Sequence, residues 1–234
     1  MAAHTNSPAK RRAPLSRERV LRAAIALADR SGIESLTMRS LGQRLGVEAM
    51  ALYNHVSNKE EILDGIVDLV FSEIALLPNG GDWKPEMRRR ATSARDALLR
   101  HPWAVGLMQS RAAPGPATLR HHDSVIGSLT GGGFSIEMAA HAYSVMDSYI
   151  YGFAMQQLTL VYGPSELAGD AAQVFLSRFP SAQYPHLARM ITEHALKPGY
   201  DYANEFEFGL DLILDSLEKL RNAQHSGKEK TKTA

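Results

Sequence analysis

The hydrophobic residues of this chain recur at intervals of three and four, the spacing of amphipathic α-helices, and no stretch shows a convincing strand pattern. This periodicity predicts an all-α fold. Glycine and proline clusters divide the larger C-terminal part into separate helices. The helices predicted there cover, in chain order, residues 83–100, 102–108, 117–130, 135–162 and 202–221, and the first and fourth have Asp82 and Ser135 as N-caps.

The N-terminal segment 36–59 has the pattern of a helix-turn-helix. Thr37 stands at the expected N-cap of its first helix, and Gly46 suits the left-handed conformation that ends this helix. A second short helix is predicted over 49–54. Such a unit lays one helix into the major groove of DNA, although a generic three-helix unit without a ligand would show the same spacing.

The helix after this unit has its own start signal. The run Ser57-Asn58-Lys59-Glu60 has the spacing of a capping box, in which Ser57 and Glu60 cap each other's backbone N–H groups. We therefore expect a connecting helix over 58–76. With it, the helix-turn-helix domain covers residues 15–76, and the remaining helices form a second, C-terminal domain over 82–222.

The helices at 135–162 and 202–221 are apolar over much of their circumference. Such a helix has to be buried on two sides, either inside one domain or against a second copy of the chain. A dimer also fits DNA reading, because two half-sites about one helical turn apart require a two-fold protein. We expect a homodimer that forms through these two helices.

Several stretches carry a resemblance to a known family. The run AAIALADRSGIESLTMRSLGQRLGV, followed by ALYNHVSNKEEILD, resembles the DNA-binding domain of the TetR family of bacterial transcriptional regulators. The runs DWKPEMRRRATSARDALLRHP, GGGFSIEMAAHAYS and FEFGLDLILDSLEKL are similar to the C-terminal domain of its tetracycline-repressor subgroup. The resemblance implies a homodimer that binds a pseudo-palindromic operator and releases it when a small molecule binds.

The resemblance also indicates which residues contact DNA. Asn54 and Arg39 carry groups that hydrogen-bond base edges, whereas Tyr53 and His55 suit phosphate contacts or packing at the end of a short helix. Lys59 stands in the first turn of the connecting helix, where phosphates are favoured. The complete predicted set is Thr37, Arg39, Ala49, Met50, Ala51, Tyr53, Asn54, His55 and Lys59.

The effector residues depart from the tetracycline-repressor subgroup. An ungapped match puts Met108 at its magnesium-binding histidine, Arg90 at a drug-bonding asparagine and Gln156 at an acidic partner, so we expect neither tetracycline nor magnesium. Methionines and aromatics suit an adaptable apolar pocket, although each is also an ordinary core residue. The candidates are Met87, Arg90, Trp103, Leu107, Met108, Arg111, Tyr143, Met146, Asp147, Tyr149 and Phe153.

Composition removes several other classes of protein. The 234 residues include no cysteine, which excludes disulfides and thiolate metal sites. No histidine cluster has metal-site spacing, and no catalytic or cofactor motif is present, so we expect no metal, no cofactor and no enzyme activity. The chain lacks a bilayer-spanning run and the apolar core of a signal peptide, which predicts a cytoplasmic location.

Charge is distributed unevenly. Residues 1–62 hold ten Lys/Arg and six Asp/Glu, whereas residues 63–234 hold sixteen and nineteen. Only the N-terminal part has the net positive charge expected of a surface that faces phosphates. Residues 1–14 form a polar basic arm and residues 223–234 a polar tail, both expected to be disordered.

These patterns together predict a sequence-specific DNA-binding transcriptional regulator, a homodimeric repressor that an unidentified small molecule releases from a palindromic operator. Two alternatives remain open. One is a helical small-molecule binding protein or enzyme that has lost specific DNA binding, since Ala49-Met50-Ala51 offers few hydrogen-bonding groups. The other is a constitutive DNA binder without an effector.

Overall fold

The fold of the chain is all-α. A computed structural model describes residues 14–77, 81–111, 113–159 and 177–232, with side chains up to residue 224. The predicted basic arm lies, except for Pro14, outside the described residues. In the described part the helices are α1 Arg17–Ser31, α2 Met38–Leu45, α3 Ala49–Leu52, α4 Lys59–Glu73, α5 Trp83–Arg100, α6 Ala104–Ser110, α7 Pro116–Gly131, α8 Ile136–Thr159, α9 Pro185–Met190 and α10 Ala203–Lys232.

Three of the predicted helix ends are confirmed by the structure. Asp82 accepts a hydrogen bond from the backbone N–H of Lys84, and the Ser135 hydroxyl accepts one from the N–H of Met138. Gly46 ends α2 with φ of 70° and ψ of 38°, the left-handed conformation expected there.

Other boundaries differ from the prediction. Helix α3 ends at Leu52, α6 starts at Ala104, and α4 ends at Glu73. Helix α10 continues to Lys232, past the expected end near residue 221 and into the tail that we expected to be disordered. Six of the eleven residues 222–232 are Lys, Glu, Gln or Ala, three of them Lys, and these residue types propagate a helix once it has started.

Two hydrophobic cores organise the chain. The smaller core joins α1, α2 and α3 to the first half of α4 and includes Leu21, Leu41 and Leu52. The larger core joins the second half of α4 to α5, α6, α7, α8 and α10 and includes Met87, Met146 and Phe206. Helix α4 therefore belongs to both cores, and any shift of this helix is felt in both.

The outer faces of α8 and α10 retain apolar side chains. Met155 and Leu158 on α8 are exposed, as are Phe208, Leu212 and Leu220 on α10. Exposed apolar side chains that gather on two long helices mark a protein interface. This is the surface through which we expected the homodimer to form.

Candidate DNA-reading surface and effector cavity

Reciprocal caps fix the start of α2, and close backbone packing fixes the turn between α2 and α3. The N–H of Ser40 donates to the Thr37 hydroxyl at 3.0 Å, and the N–H of Thr37 donates to the Ser40 hydroxyl at 3.0 Å. A Cβ atom on Gly42 would lie 2.9 Å from the carbonyl oxygen of Val47. Glycine at this position thus lets α2 approach the start of α3, and it escaped the sequence analysis because the glycine lies inside a helix.

Helix α3 presents a solvent-exposed face on this scaffold. Leu52 is completely buried and anchors the helix, whereas Met50 is 74% exposed. Tyr53 and Asn54 are exposed in the turn that follows. The half-buried residues of the predicted set are Ala49, Ala51, His55 and Lys59, and the exposed ones also include Thr37 and Arg39.

Three polar residues of the predicted set have no side-chain partner within the described part of the protein. No hydrogen bond or ion pair to another described residue involves the side chains of Arg39, Asn54 or Lys59. By contrast, both carboxylates in the first turn of α4 have arginine partners: Glu60 accepts from Arg111 at 2.7 Å and Glu61 from Arg17 at 3.1 Å. Lys59 is therefore left as the unpaired charge of that turn.

The cap of α4 is one residue later than the sequence suggested. The Asn58 side chain accepts from the N–H of Glu61 at 2.8 Å, and Glu61 accepts from the N–H of Ser57 at 2.7 Å. The Ser57 N–H bond, together with Arg17, lowers the pKa of Glu61. Because serine and asparagine are both good caps and are both followed three residues later by glutamate, spacing could not choose between them.

A cavity of about 750 Å³ opens between α4, the end of α6, the start of α7 and the middle of α8. Its size is that of a site for a drug-sized molecule. The lining combines aromatic, apolar, hydroxyl and charged groups, namely Asp64, Val67, Phe71, Met108, Gln109, Arg111, Ala113, Pro114, Gly115, Thr118, His122, Tyr143, Ser144, Asp147, Ser148 and Tyr151.

Four of the eleven predicted effector residues line this cavity: Met108, Arg111, Tyr143 and Asp147. The others are engaged elsewhere. Met87, Met146 and Phe153 are buried in the larger core, and Trp103 and Leu107 pack between the two cores. The Tyr149 hydroxyl donates to the carbonyl oxygen of Phe206 at 2.9 Å, which ties α8 to α10.

The cavity residues that sequence reasoning missed lie mostly on α4 and α7. They include Asp64 and Phe71 on α4, Thr118 and His122 on α7, and Tyr151 on α8. Asp64 and Asp68 interrupt the apolar pattern of α4, which was the available signal. Asp68 accepts from the backbone N–H of Thr118 at 2.8 Å and from its hydroxyl at 3.0 Å, and so holds α7 against α4.

Arg90 lies behind the cavity wall with only 1% of its side chain exposed. It pairs with Asp147, and its Nε donates to His121 Nε2 at 3.1 Å. Burial, aided by the nearby Arg90 charge, lowers the pKa of His121 to about 3. Burial also lowers the pKa of His122 and raises the pKa of Tyr143. At neutral pH both histidines are therefore uncharged and Tyr143 is protonated.

Arg111 joins the cavity to the start of α4. Its Nε donates to Asp64 at 2.5 Å, its Nη1 to the Glu60 carboxylate at 2.7 Å, and its Nη2 to the Glu60 carbonyl oxygen at 3.2 Å. Hydrogen bonds with these carboxylates raise the pKa of Arg111, Asp64 contributing most. We call this set of bonds the Arg111 clamp.

Known families match both domains of the chain. Residues 20–66 match the family described as bacterial regulatory proteins, tetR family, and residues 77–221 match the tetracyclin repressor-like C-terminal domain. The chain belongs to the TetR family. It is a DNA-binding transcriptional regulator that dimerises and responds to a small molecule, and it is not an enzyme.

Individual relatives agree with this assignment. The HTH-type transcriptional repressor DrrR1 of Streptomyces coeruleorubidus is 31% identical over 88% of this chain and 78% of its own length. The class C tetracycline repressor protein of Escherichia coli is 30% identical over 88% of this chain and 92% of its own length. The solved structure of the Streptomyces coelicolor TetR family protein ActR in complex with actinorhodin matches with a TM-score of 0.68. The match covers 89% of this chain and 99% of the ActR chain, at 26% sequence identity.

Family membership removes one of the alternatives. A carrier or enzyme without DNA binding was suggested by the Ala49-Met50-Ala51 face, but the family and the similar proteins are transcriptional regulators. In the described residues, no helix is long and apolar enough to cross a membrane.

Proposed function

We propose that this regulator is a cytoplasmic repressor whose effector binds in the cavity between α4, α6, α7 and α8, and that effector binding releases the operator. The operator would be read by α2, α3 and the first turn of α4, with Asn54 and Arg39 on base edges and Lys59 on a phosphate. The exposed Ala49-Met50-Ala51 surface would contribute apolar contacts to thymine methyl groups.

The position of helix α4 is the observation that best supports this proposal. It begins at Lys59, directly after the DNA-reading unit, and lines the cavity with Asp64, Val67 and Phe71. Five residues of helix, or about 8 Å, separate Lys59 from Asp64. A ligand that contacts the cavity face of α4 is therefore close to the residue that meets the phosphate, and a small tilt of α4 would change the spacing of the two recognition units in a dimer.

The Arg111 clamp supplies a route for this coupling. Arg111 lines the cavity and at the same time fixes the first two turns of α4 through Glu60 and Asp64. A ligand that displaces Arg111 would loosen the start of α4 and favour a form that fits the operator less well. The coupling free energy equals the difference in ligand affinity between the two forms.

Tetracycline and magnesium do not fit the cavity chemistry. Met108 lines the cavity and offers a thioether, a soft and weak donor that Mg²⁺ does not prefer over oxygen. Arg90, at another drug-contacting position of the subgroup, is buried and already paired with Asp147. The effector would therefore be an organic molecule bound without a metal bridge.

The first test is selection of duplexes from a random DNA pool at about 150 mM salt, which weakens non-specific contacts. We expect an enriched inverted repeat. A panel of small molecules is then screened for thermal stabilisation of the protein, and each hit is tested for loss of operator binding. If the pool yields no enriched repeat with folded, dimeric protein, operator recognition is refuted.

A variant that fills the cavity locates the effector site. Ser148 is exposed and lines the cavity, so Ser148→Trp should retain operator binding but lose the response to a hit. Ser72→Trp, at an exposed position of α4 that does not line the cavity, is the matched control and should respond normally. An unchanged response in Ser148→Trp would place the effector elsewhere.

A further inference from the structure

We propose that the effector cavity takes an aromatic cation: an amine carried on a planar, apolar ring system. This inference rests on the proposed function, which places the effector in the same cavity. It follows from which charges surround the cavity, which of them are already paired, and which surfaces remain for a ligand.

The charges around the cavity do not balance. The charged residues that line it, or that bond to its lining, are four carboxylates and two guanidiniums, so two negative charges are in excess at neutral pH. The carboxylates are Glu60, Asp64, Asp68 and Asp147, and the guanidiniums are Arg90 and Arg111. His122 also lines the cavity, but burial lowers its pKa and keeps it uncharged.

The two guanidiniums are not available to an anionic ligand. All three nitrogens of Arg111 donate to Glu60 or Asp64. Arg90 is buried beneath the wall, and its remaining unpartnered nitrogen, Nη1, has no accessible surface. An anion in the cavity would therefore meet an excess of carboxylates without a free cation in the described residues to receive it.

Two of the four carboxylates, Asp64 and Asp147, line the cavity itself. Asp147 retains 14% exposure of its side chain and lines the cavity, although it pairs with Arg90. Asp68 forms no ion pair with a described residue and lies directly behind Gly115, since a Cβ atom there would fall 2.3 Å from the Asp68 carboxyl carbon. A ligand ammonium group could bond Asp147 and lie in the field of Asp68 and Asp64.

Aromatic rings form the rest of the wall. Phe71, Tyr143, Tyr151 and the uncharged His122 all line the cavity. The His122 ring packs edge-on against Phe71 and Tyr143, with centroids 5.4 Å and 5.6 Å apart. Aromatic rings attract cations and stack on planar rings, and the Tyr143 ring already has the Arg90 guanidinium carbon 5.6 Å from its centroid. The combination of excess negative charge with aromatic faces selects a cationic aromatic molecule over a neutral or anionic one.

The test compares three probes of nearly the same shape that differ in charge: 1-naphthylmethylammonium, 1-naphthalenemethanol and 1-naphthoate. Binding to the purified wild-type protein is measured by titration calorimetry without DNA. We expect the ammonium probe to bind at least about tenfold more tightly than the alcohol, and the carboxylate to bind most weakly. Equal affinities, or a preference for the carboxylate, would overturn the inference.

A charge variant makes the test independent of the Arg90–Asp147 pair, whose disruption threatens the fold. Ser144 is exposed and lines the cavity, so Ser144→Lys adds a cation to the wall. It should weaken binding of the ammonium probe about tenfold and improve that of the carboxylate. Ser144→Gln, similar in length but uncharged, should change neither by more than about twofold.

The outcomes separate this inference from the proposed function. If the alcohol or the carboxylate binds best and Ser148→Trp abolishes that binding, the cavity is a ligand site and only the cationic preference is wrong. If none of the three probes binds to folded protein, both the cationic preference and the cavity as a site for aromatic ligands are contradicted. A preference for the ammonium probe that Ser144→Lys reverses supports both.

Discussion

The DNA-reading unit and the effector cavity treat their polar groups in opposite ways. On the reading surface, Arg39, Asn54 and Lys59 have no side-chain partner among the described residues, as expected if their partner is DNA. Around the cavity, Arg90 and Arg111 are held by carboxylates of the protein. We therefore expect affinity for DNA to depend on individual side chains, and ligand binding in the cavity to depend on a connected network.

The largest effect is expected from breaking that network. Arg90→Ala would leave Asp147 without its buried partner, which typically costs about 3–5 kcal/mol of unfolding free energy. Arg17→Ala removes an arginine of the reading unit whose pair with Glu61 is about half exposed, and should cost below about 1 kcal/mol. Urea denaturation of both variants measures the difference. Similar losses would mean that the cavity network is no more tightly connected than the surface pair.

The pH dependence of stability sharpens the same contrast. The pKa of His121 is about 3 in the folded protein and near 6.5 when unfolded, so the unfolded state binds more protons between these values. Stability should then fall as pH drops from 6.5 toward 3, by at most about 1.4 kcal/mol per unit from this residue. His121→Gln, which can still accept the Arg90 hydrogen bond, should flatten the slope in urea titrations at several pH values. An unchanged slope would show that His121 is not held neutral by burial.

A smaller effect is expected at Asn54 on the reading surface. Asn54→Ala should remove discrimination at one base pair of each half-site, worth about 1–3 kcal/mol, and leave thermal stability unchanged. Repeating the pool selection with this variant measures the change. Asn204→Ala, at an exposed asparagine of the other domain, is the control. An identical enriched motif from Asn54→Ala would refute its role in base reading.

The smallest change is expected at Lys59. Lys59→Ala should weaken binding to all duplexes by a similar factor and reduce the slope of log affinity against log salt by about 1. Lys197→Ala, at an exposed lysine in the C-terminal domain, should leave the slope unaltered. A sequence-dependent loss in Lys59→Ala would indicate a base contact and contradict the phosphate assignment.

The sequence was sufficient where structure is determined locally. Thr37, Gly46 and Asp82 specify helix ends through their own side chains or backbone conformation, and each was predicted correctly. The exposed face of α3 could also be predicted, because the spacing around the buried Leu52 decides which residues point outward. The register of the α4 cap was missed by one residue because two adjacent positions satisfy the same rule.

The cavity was harder to predict because it belongs to no single helix. Met87 and Met146 have the same residue type as Met108, but only packing between helices decides which methionine lines a void and which is core. Thr118 and His122 lie on a helix whose own pattern gives no reason to single them out. A resemblance aligned to one subgroup could not supply them either, because this chain departs from that subgroup at its ligand-contacting positions.

The position of α4 in both cores also decides how the protein can be divided. A fragment that stopped after α3 would lose Ile62, Leu63 and Ile66, which complete the smaller core. A fragment that kept all of α4 would expose Val67, Val70 and Phe71 to water. A minimal DNA-reading module cut from this chain therefore needs α4 at least through Leu69, with a polar residue substituted at Val67, which the larger domain now covers.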